Sequence, residues 1–284
     1  MNPIRYPRLF CAFLLLSILM GMTGMPMQIV RGAGTISLTG IPYTENFDTL
    51  ASSGASSSVP VGWEFIETGT NANTTYTAGT GSNNTGDTYS FGSTGSPERA
   101  FGELTSASLM TTLGANFTND TGAAITSMII RYTGEQWRLG AVGRTDRLDF
   151  QYSMDAASLD TGTWVDVDAL DFVAPVTGGT VGALDGNLSS NRTSMAYNLT
   201  GLTIANGSSF WIRWKYLDVS NGDDGLAVDD FSLIPNAMLD TSASDFSAGT
   251  VGSCVVDNLI GDGAVRLNLP GSTTCTFESR VFDA

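Results

Sequence analysis

The sequence predicts an all-β protein, a two-sheet antiparallel jelly-roll sandwich followed by the start of a second β domain. Three observations carry that reading. The apolar segments are short, and they either alternate with polar residues or are rich in β-branched ones. Clusters of Gly, Asn, Asp and Ser bound almost all of them, and no stretch after the first 32 residues shows a helical period.

Taken in order, the chain of 284 residues opens with Arg5 and Arg8 ahead of an apolar run over residues 9–20. Small residues follow at Gly32, Ala33 and Gly34. This is the layout of an export signal, so residues 1–32 are read as a signal peptide and the protein as secreted, extracellular or on the cell surface. A signal-anchor helix left uncut is the other reading, because residues 21–30 remain fairly apolar.

Residues 33–235 form the predicted jelly-roll domain. Its strands are expected over residues 36–47, 125–132, 148–153, 164–172, 195–204, 210–219 and 226–234. In Leu148-Asp149-Phe150-Gln151-Tyr152 the apolar side chains share one face, as in a strand with one side on a core and the other in water. In residues 210–216, Phe210, Ile212, Trp214 and Tyr216 share a core face, while Trp211, Arg213 and Lys215 share the other. That second face either stacks on a sugar ring, with Trp211 as platform, or is ordinary packing under long side-chain stems. Residues 51–58 and 68–88 read as loops. A boundary falls near Pro235, and residues 236–284 read as a truncated second β domain.

The charge is strongly acidic: 28 Asp and Glu against 13 Lys and Arg, with Lys215 the one lysine. Such a surface repels a nucleic-acid backbone, and no nucleic-acid partner is expected. Histidine is absent. That excludes Ser-His-Asp and Cys-His catalysis and any His-containing zinc site. Past the signal only Cys254 and Cys275 remain, and in an exported protein the pair reads as a disulfide.

Carboxylate chemistry is left. Asp229 and Asp230 lie side by side within an apolar strand, where ionised carboxylates are costly unless paired or bound to metal. A calcium ion, which takes six to eight oxygen ligands, is the economical solution; the alternative is a solvated pair flanking a turn. Further ligands are expected from the opening strand, at Glu45 and Asp48, because first and last strands of a jelly roll often lie together. The metal set is therefore Glu45, Asp48, Asp229 and Asp230. Glu135 beside Trp137 and Arg138 is either a sugar-facing acid or half of a surface ion pair with Arg138 on a turn, so Trp137, Arg138 and Trp211 are the candidate ligand-binding residues.

Several short motifs also carry a family resemblance. They are Glu45-Asn46-Phe47-Asp48, Gly62-Trp63, Tyr89-Ser90-Phe91-Gly92, Glu98-Arg99-Ala100, the run from Tyr132 through Gly134-Glu135-Gln136-Trp137-Arg138, and Asp223-Asp224-Gly225 through Asp229-Asp230-Phe231. As a set, over residues 36–235, they resemble exported bacterial jelly-roll modules related to concanavalin A-like, MAM and cleaved-adhesin domains. The resemblance implies a non-catalytic binding or adhesion module, monomeric within a larger secreted or surface protein, with a glycan or extracellular protein as ligand. It also implies a structural Ca2+ held by acids of the first and last strands. The alternative it leaves is an accessory domain of a secreted nuclease or glycoside hydrolase whose catalytic part lies beyond this chain. The Glu-x-Asp-x-x-Glu run usual in concanavalin A-like hydrolases is absent.

Overall fold

The alternating segments pair into two sheets whose facing apolar sides enclose one aromatic core. The structure, a computed structural model, describes residues 26–217, 221–235, 255–257 and 266–268. The first sheet runs in the order β1 (Met27–Arg31), β5 (Trp63–Thr68), β9 (Met110–Asn119), β16 (Ser209–Tyr216), β11 (Arg147–Ser153), β12 (Val165–Asp166). β2 (Ile36–Leu38) joins it on β9, and β13 (Phe172–Val173) on β11. The second runs β14 (Gly182–Ala183), β10 (Ile125–Leu139), β17 (Gly225–Pro235), β8 (Ala100–Leu104), β7 (Asp87–Phe91), β6 (Tyr76–Gly79), β4 (Ala55–Ser56). β15 (Arg192–Ile204) also pairs with β10, and β3 (Tyr43–Glu45) with β17. β18 (Val255–Asp257) and β19 (Arg266–Asn268) form a separate antiparallel pair. The described residues contain no α-helix, only a 3-10 turn at Asp168–Leu170.

The all-β, two-sheet sandwich is the architecture the alternation predicts. The pairing is antiparallel except for two short parallel contacts, β2 with β9 and β6 with β7. Phe210, Ile212, Trp214 and Tyr216 all enter the core, as their shared parity requires. Trp63 and Trp214 stack at 6.0 Å and 11°, and Phe231 meets both edge-on at 5.4 and 5.8 Å. Phe47 closes the group at 4.7 Å from Trp63. Each such ring contributes a few kcal/mol of buried apolar surface, so this cluster dominates the packing.

Three expected elements divide differently. The segment 36–47 is two strands in different sheets, because Gly40 takes φ 90° and turns the chain between them. Residues 164–172 are broken by the 3-10 turn, which buries Leu170 and lets Asp171 accept the Phe150 amide at 2.9 Å. The loop read over 68–88 contains β6, whose Tyr76 is buried and donates its hydroxyl to the Ser58 carbonyl at 2.9 Å.

β1 falls within the residues read as the leader. It pairs with β5 from Met27 opposite Thr68 to Arg31 opposite Glu64, and Arg31 Nε lies 2.6 Å from the buried Glu64 carboxylate. The outer face of the first sheet is covered by the chain around residues 154–164. There Trp211 packs with Ile66 and Leu159, and the Arg213 guanidinium lies 3.8 Å over the Trp164 ring.

Candidate functional site

The strand β17 decides where its two acids go. Its register with β10 advances three residues, from Ser232 to Asp229, while β10 advances two, from Arg131 to Thr133. That is a β-bulge, and Asp230 sits in it at φ 48°, a left-handed conformation that Asp tolerates better than most residues. The bulge resets the alternation. Leu226 and Val228 before it and Phe231 and Leu233 after it all reach the core. Ala227 joins a second cluster with Tyr89, Phe91, Ala100, Leu104 and Trp137, on the opposite face of the sheet. Asp229 follows Ala227 on that face and is buried, whereas Asp230 is exposed.

Glu135 comes to the same face, directly opposite Ala227 in register. It is the middle of a long strand rather than part of a turn, and it is wholly buried. Glu135 and Arg138 therefore do not form the surface pair that a turn would have allowed: Glu135 Oε2 accepts the Trp137 indole N–H at 2.9 Å, and Arg138 turns to the Gly81 and Ser82 carbonyls at 3.0 and 3.3 Å. The turn before β8 adds Glu98, whose Oε2 accepts the Asn187 amide at 2.6 Å. One oxygen from each of Glu98, Glu135 and Asp229 lies within 4.8 Å of the others. Glu98 Oε1, Glu135 Oε1 and Asp229 Oδ1 are buried without a hydrogen-bond partner. Loss of water pushes the carboxyls up, Glu135 to about 7 and Asp229 to about 9, and mutual repulsion adds to it.

The chain over residues 183–192 covers this acidic centre. Gly186 lies so close to the Trp137 ring that a Cβ there would stand 2.4 Å from Nε1. The Phe91 ring stacks on Trp137 at 6.0 Å and 5°. Trp137 is thus a packed, polar-tipped wall of the acidic centre.

The opening strand is beside β17, with Glu45 opposite Phe231 in register, so the expected adjacency of first and last acids is present. Glu45 and Asp230 border one shallow hollow with Thr44, Asn46 and Phe231. Glu45 is engaged locally: Oε1 accepts the Phe47 amide at 3.0 Å and Oε2 the Tyr43 hydroxyl at 3.3 Å. These bonds hold Phe47 at φ 55°, from which its ring enters the core. Asp48 accepts the Arg99 amide at 3.1 Å and the Asn46 side-chain amide at 2.7 Å. Of the four acids, Asp229 is the one brought beside other carboxylates with unpartnered oxygens. Glu98 and Glu135 complete that group; Glu135 was legible as a candidate acid, Glu98 only as part of a motif.

Among the ligand-binding candidates, Trp137 and Trp211 are buried and present no open ring face. Arg138 is half-buried and borders a cleft of about 390 Å³ at the end of β8 and β10. Asn84, Thr105, Ser106, Asn221 and Asp223 supply its polar lining, and Leu104 and Val181 its apolar patches. Thr105 Oγ1 is buried there without a partner. The far wall is wired in place. Arg144 spans Asp146 at 2.6 Å and Asp223 at 2.7 Å, and Asp146 Oδ2 accepts the Asp224 amide at 2.7 Å. Asp224 in turn accepts the Gly140 amide at 2.7 Å and the Gln136 side chain at 2.8 Å. Cys254 and Cys275 lie outside the described residues.

No family model matches the chain, and no curated protein is significantly similar to it. Among solved structures, similarity is found to the carbohydrate-binding module TmCBM61 in complex with beta-1,4-galactotriose: 12% identity, TM-score 0.29, over 50% of this chain and 74% of that one. It is also found to the K3 cleaved adhesin domain of Lys-gingipain from Porphyromonas gingivalis W83: 8% identity, TM-score 0.31, over 48% of this chain and 73% of that one. At such identity and superposition neither neighbour says what this chain binds.

Proposed function

We propose that the chain is a secreted, non-catalytic binding or adhesion module that takes a glycan, or the polar surface of an extracellular protein, in the cleft beside Arg138. One observation carries the reading. The cleft offers hydrogen-bonding groups of both kinds around small apolar patches, but among the described residues its lining holds a single carboxylate, Asp223, already paired with Arg144. A saccharide needs convergent donors and acceptors in a preformed hollow, and this lining supplies them. Glycoside hydrolysis needs two carboxyl groups about 5 to 9.5 Å apart on either side of the bond, and the described residues of the lining supply one. Arg138 is the residue that would contact ligand, since two backbone carbonyls fix its guanidinium at the rim.

The test is binding of the full chain to an oligosaccharide array and to immobilised extracellular-matrix proteins, alongside Arg138→Ala. Binding to a restricted set, weakened about tenfold or more by the substitution with an unchanged melting temperature, is the expected result. Binding to none of them overturns the reading, as does full binding by the variant.

A further inference from the structure

The acidic centre on the outer face of the second sheet has a feature that a structural carboxylate cluster lacks. Each of its acids keeps one buried oxygen that no group of the described residues answers, namely Glu98 Oε1, Glu135 Oε1 and Asp229 Oδ1. Two of the three carboxylates are held by a donor on their other oxygen, Asn187 for Glu98 and Trp137 for Glu135. Such second-layer bonds fix a carboxylate's orientation without using up its ligating capacity.

No ion pair within 4 Å links these acids to a basic residue among the described residues. Arg192 is opposite Glu135 in register but is exposed. Three converging carboxylates out of water, without a cation, are strongly disfavoured, and burying them under the 183–192 segment makes this worse. A proton shared between two of them would answer two oxygens and leave the third without a partner. The donors are all oxygen, which selects a hard cation, and several carboxylates with a partly backbone and water shell suit calcium better than magnesium.

We propose that Glu98, Glu135 and Asp229 form a calcium site that ties β10 and β17 to the turn before β8 and to the covering segment 183–192. The site stands apart from the Glu45–Asp230 hollow, on residues brought together by the β17 bulge. It does not depend on what the Arg138 cleft binds.

The experiment uses the full chain, stripped with chelator and then titrated with calcium chloride while the melting temperature is followed. Saturating calcium is expected to raise it by about 5 °C or more, and Glu135→Gln or Asp229→Asn to abolish the rise. The amide replacements keep the shape of the acids, and the Gln oxygen can still accept the Trp137 N–H, so the calcium-free variants should melt close to the calcium-free parent; loss of the response is then not loss of folding. A melting curve identical with and without calcium overturns the site, and an equal response to magnesium overturns its assignment to calcium. Terbium gives a second readout, because the Trp137 indole is hydrogen-bonded to Glu135 and would sensitise the emission of an ion held there. Emission displaced by calcium and missing from Glu135→Gln is expected. Absence of sensitised emission, or its persistence in that variant, overturns the assignment to these acids.

Discussion

The indole N–H of Trp137 and the Oε2 of Glu135 are 2.9 Å apart, two residues along one strand, with both side chains buried. The bond fixes one oxygen of a carboxylate whose other oxygen is left free. Trp137 is thereby a positioning residue for Glu135. Trp137→Phe keeps most of the stacking on Phe91 but removes the donor, and should destabilise the protein by about 2–4 kcal/mol in urea unfolding. It should also weaken the calcium response. Loss of stability with a full calcium response would separate the two roles.

Stability should fall as pH rises through neutrality. Glu103 is wholly buried, with the Thr111 hydroxyl on Oε2 and no partner on Oε1, and desolvation pushes its carboxyl up to about 8. Glu67, also held out of water, is pushed up to about 7. For both, the folded state binds the proton more tightly than the unfolded chain. Their stabilising effect is therefore fully present below the usual 4.5 and lost as pH rises to about 8. Melting temperature measured between about pH 5 and pH 8.5 should decline, and Glu103→Gln should flatten the slope.

Asp224 ties the cleft wall to β10. Replacing it by Ala strands the Gly140 N–H and takes one acceptor from the Gln136 amide, which keeps the Val176 carbonyl, at a cost of about 1–3 kcal/mol. Because Asn221, Gly222 and Asp223 of the same segment line the cleft, the variant should also lose ligand affinity. Chemical denaturation and the array measurement above check the two effects.

The edge strand β1, inside the residues read as a leader, makes the contribution of residues 26–32 testable. A chain starting at Ala33 lacks the five register pairs to β5, the buried Val30 and the Arg31–Glu64 ion pair. It should melt about 3–10 °C below a chain starting at Pro26. Mass spectrometry of the protein made in its own cells would show at which residue it begins.

Much of the fold was legible in the sequence because alternation is a local signal. Leu148 and Phe150, or Phe210 through Tyr216, announce their faces at a spacing of two, and the structure keeps them. Glu45 beside Phe231 followed from strand order alone. What escaped was whatever depends on one residue's backbone. Gly40 split a predicted strand, and Asp230 took a left-handed conformation that put Asp229 on the outer face. A surface pair of Glu135 and Arg138 on a turn is one of two readings of the sequence, yet at Gly134 the Phe172 ring fills the space of the missing Cβ and the strand runs on. Glu98 carried no signal of its own, since its place beside Glu135 is set by pairings distant in sequence.

The bulge at Asp230 also gives β17 something like a reading frame. Residues before it and after it obey opposite parities, and a single inserted residue keeps Val228 and Phe231 on the same side. Deleting Asp230 would only close the bulge, leaving Val228 inward, Asp229 outward and Phe231 inward opposite Tyr132, whereas inserting one more residue beside it would be a frameshift in three dimensions that turns Phe231 and Leu233 outward or makes β17 slip against both neighbours. A chemically mild change of side chain at this position should pass almost unnoticed, and its loss should cost little more than the local bend, while the gain of one residue should be among the most damaging changes the domain can suffer.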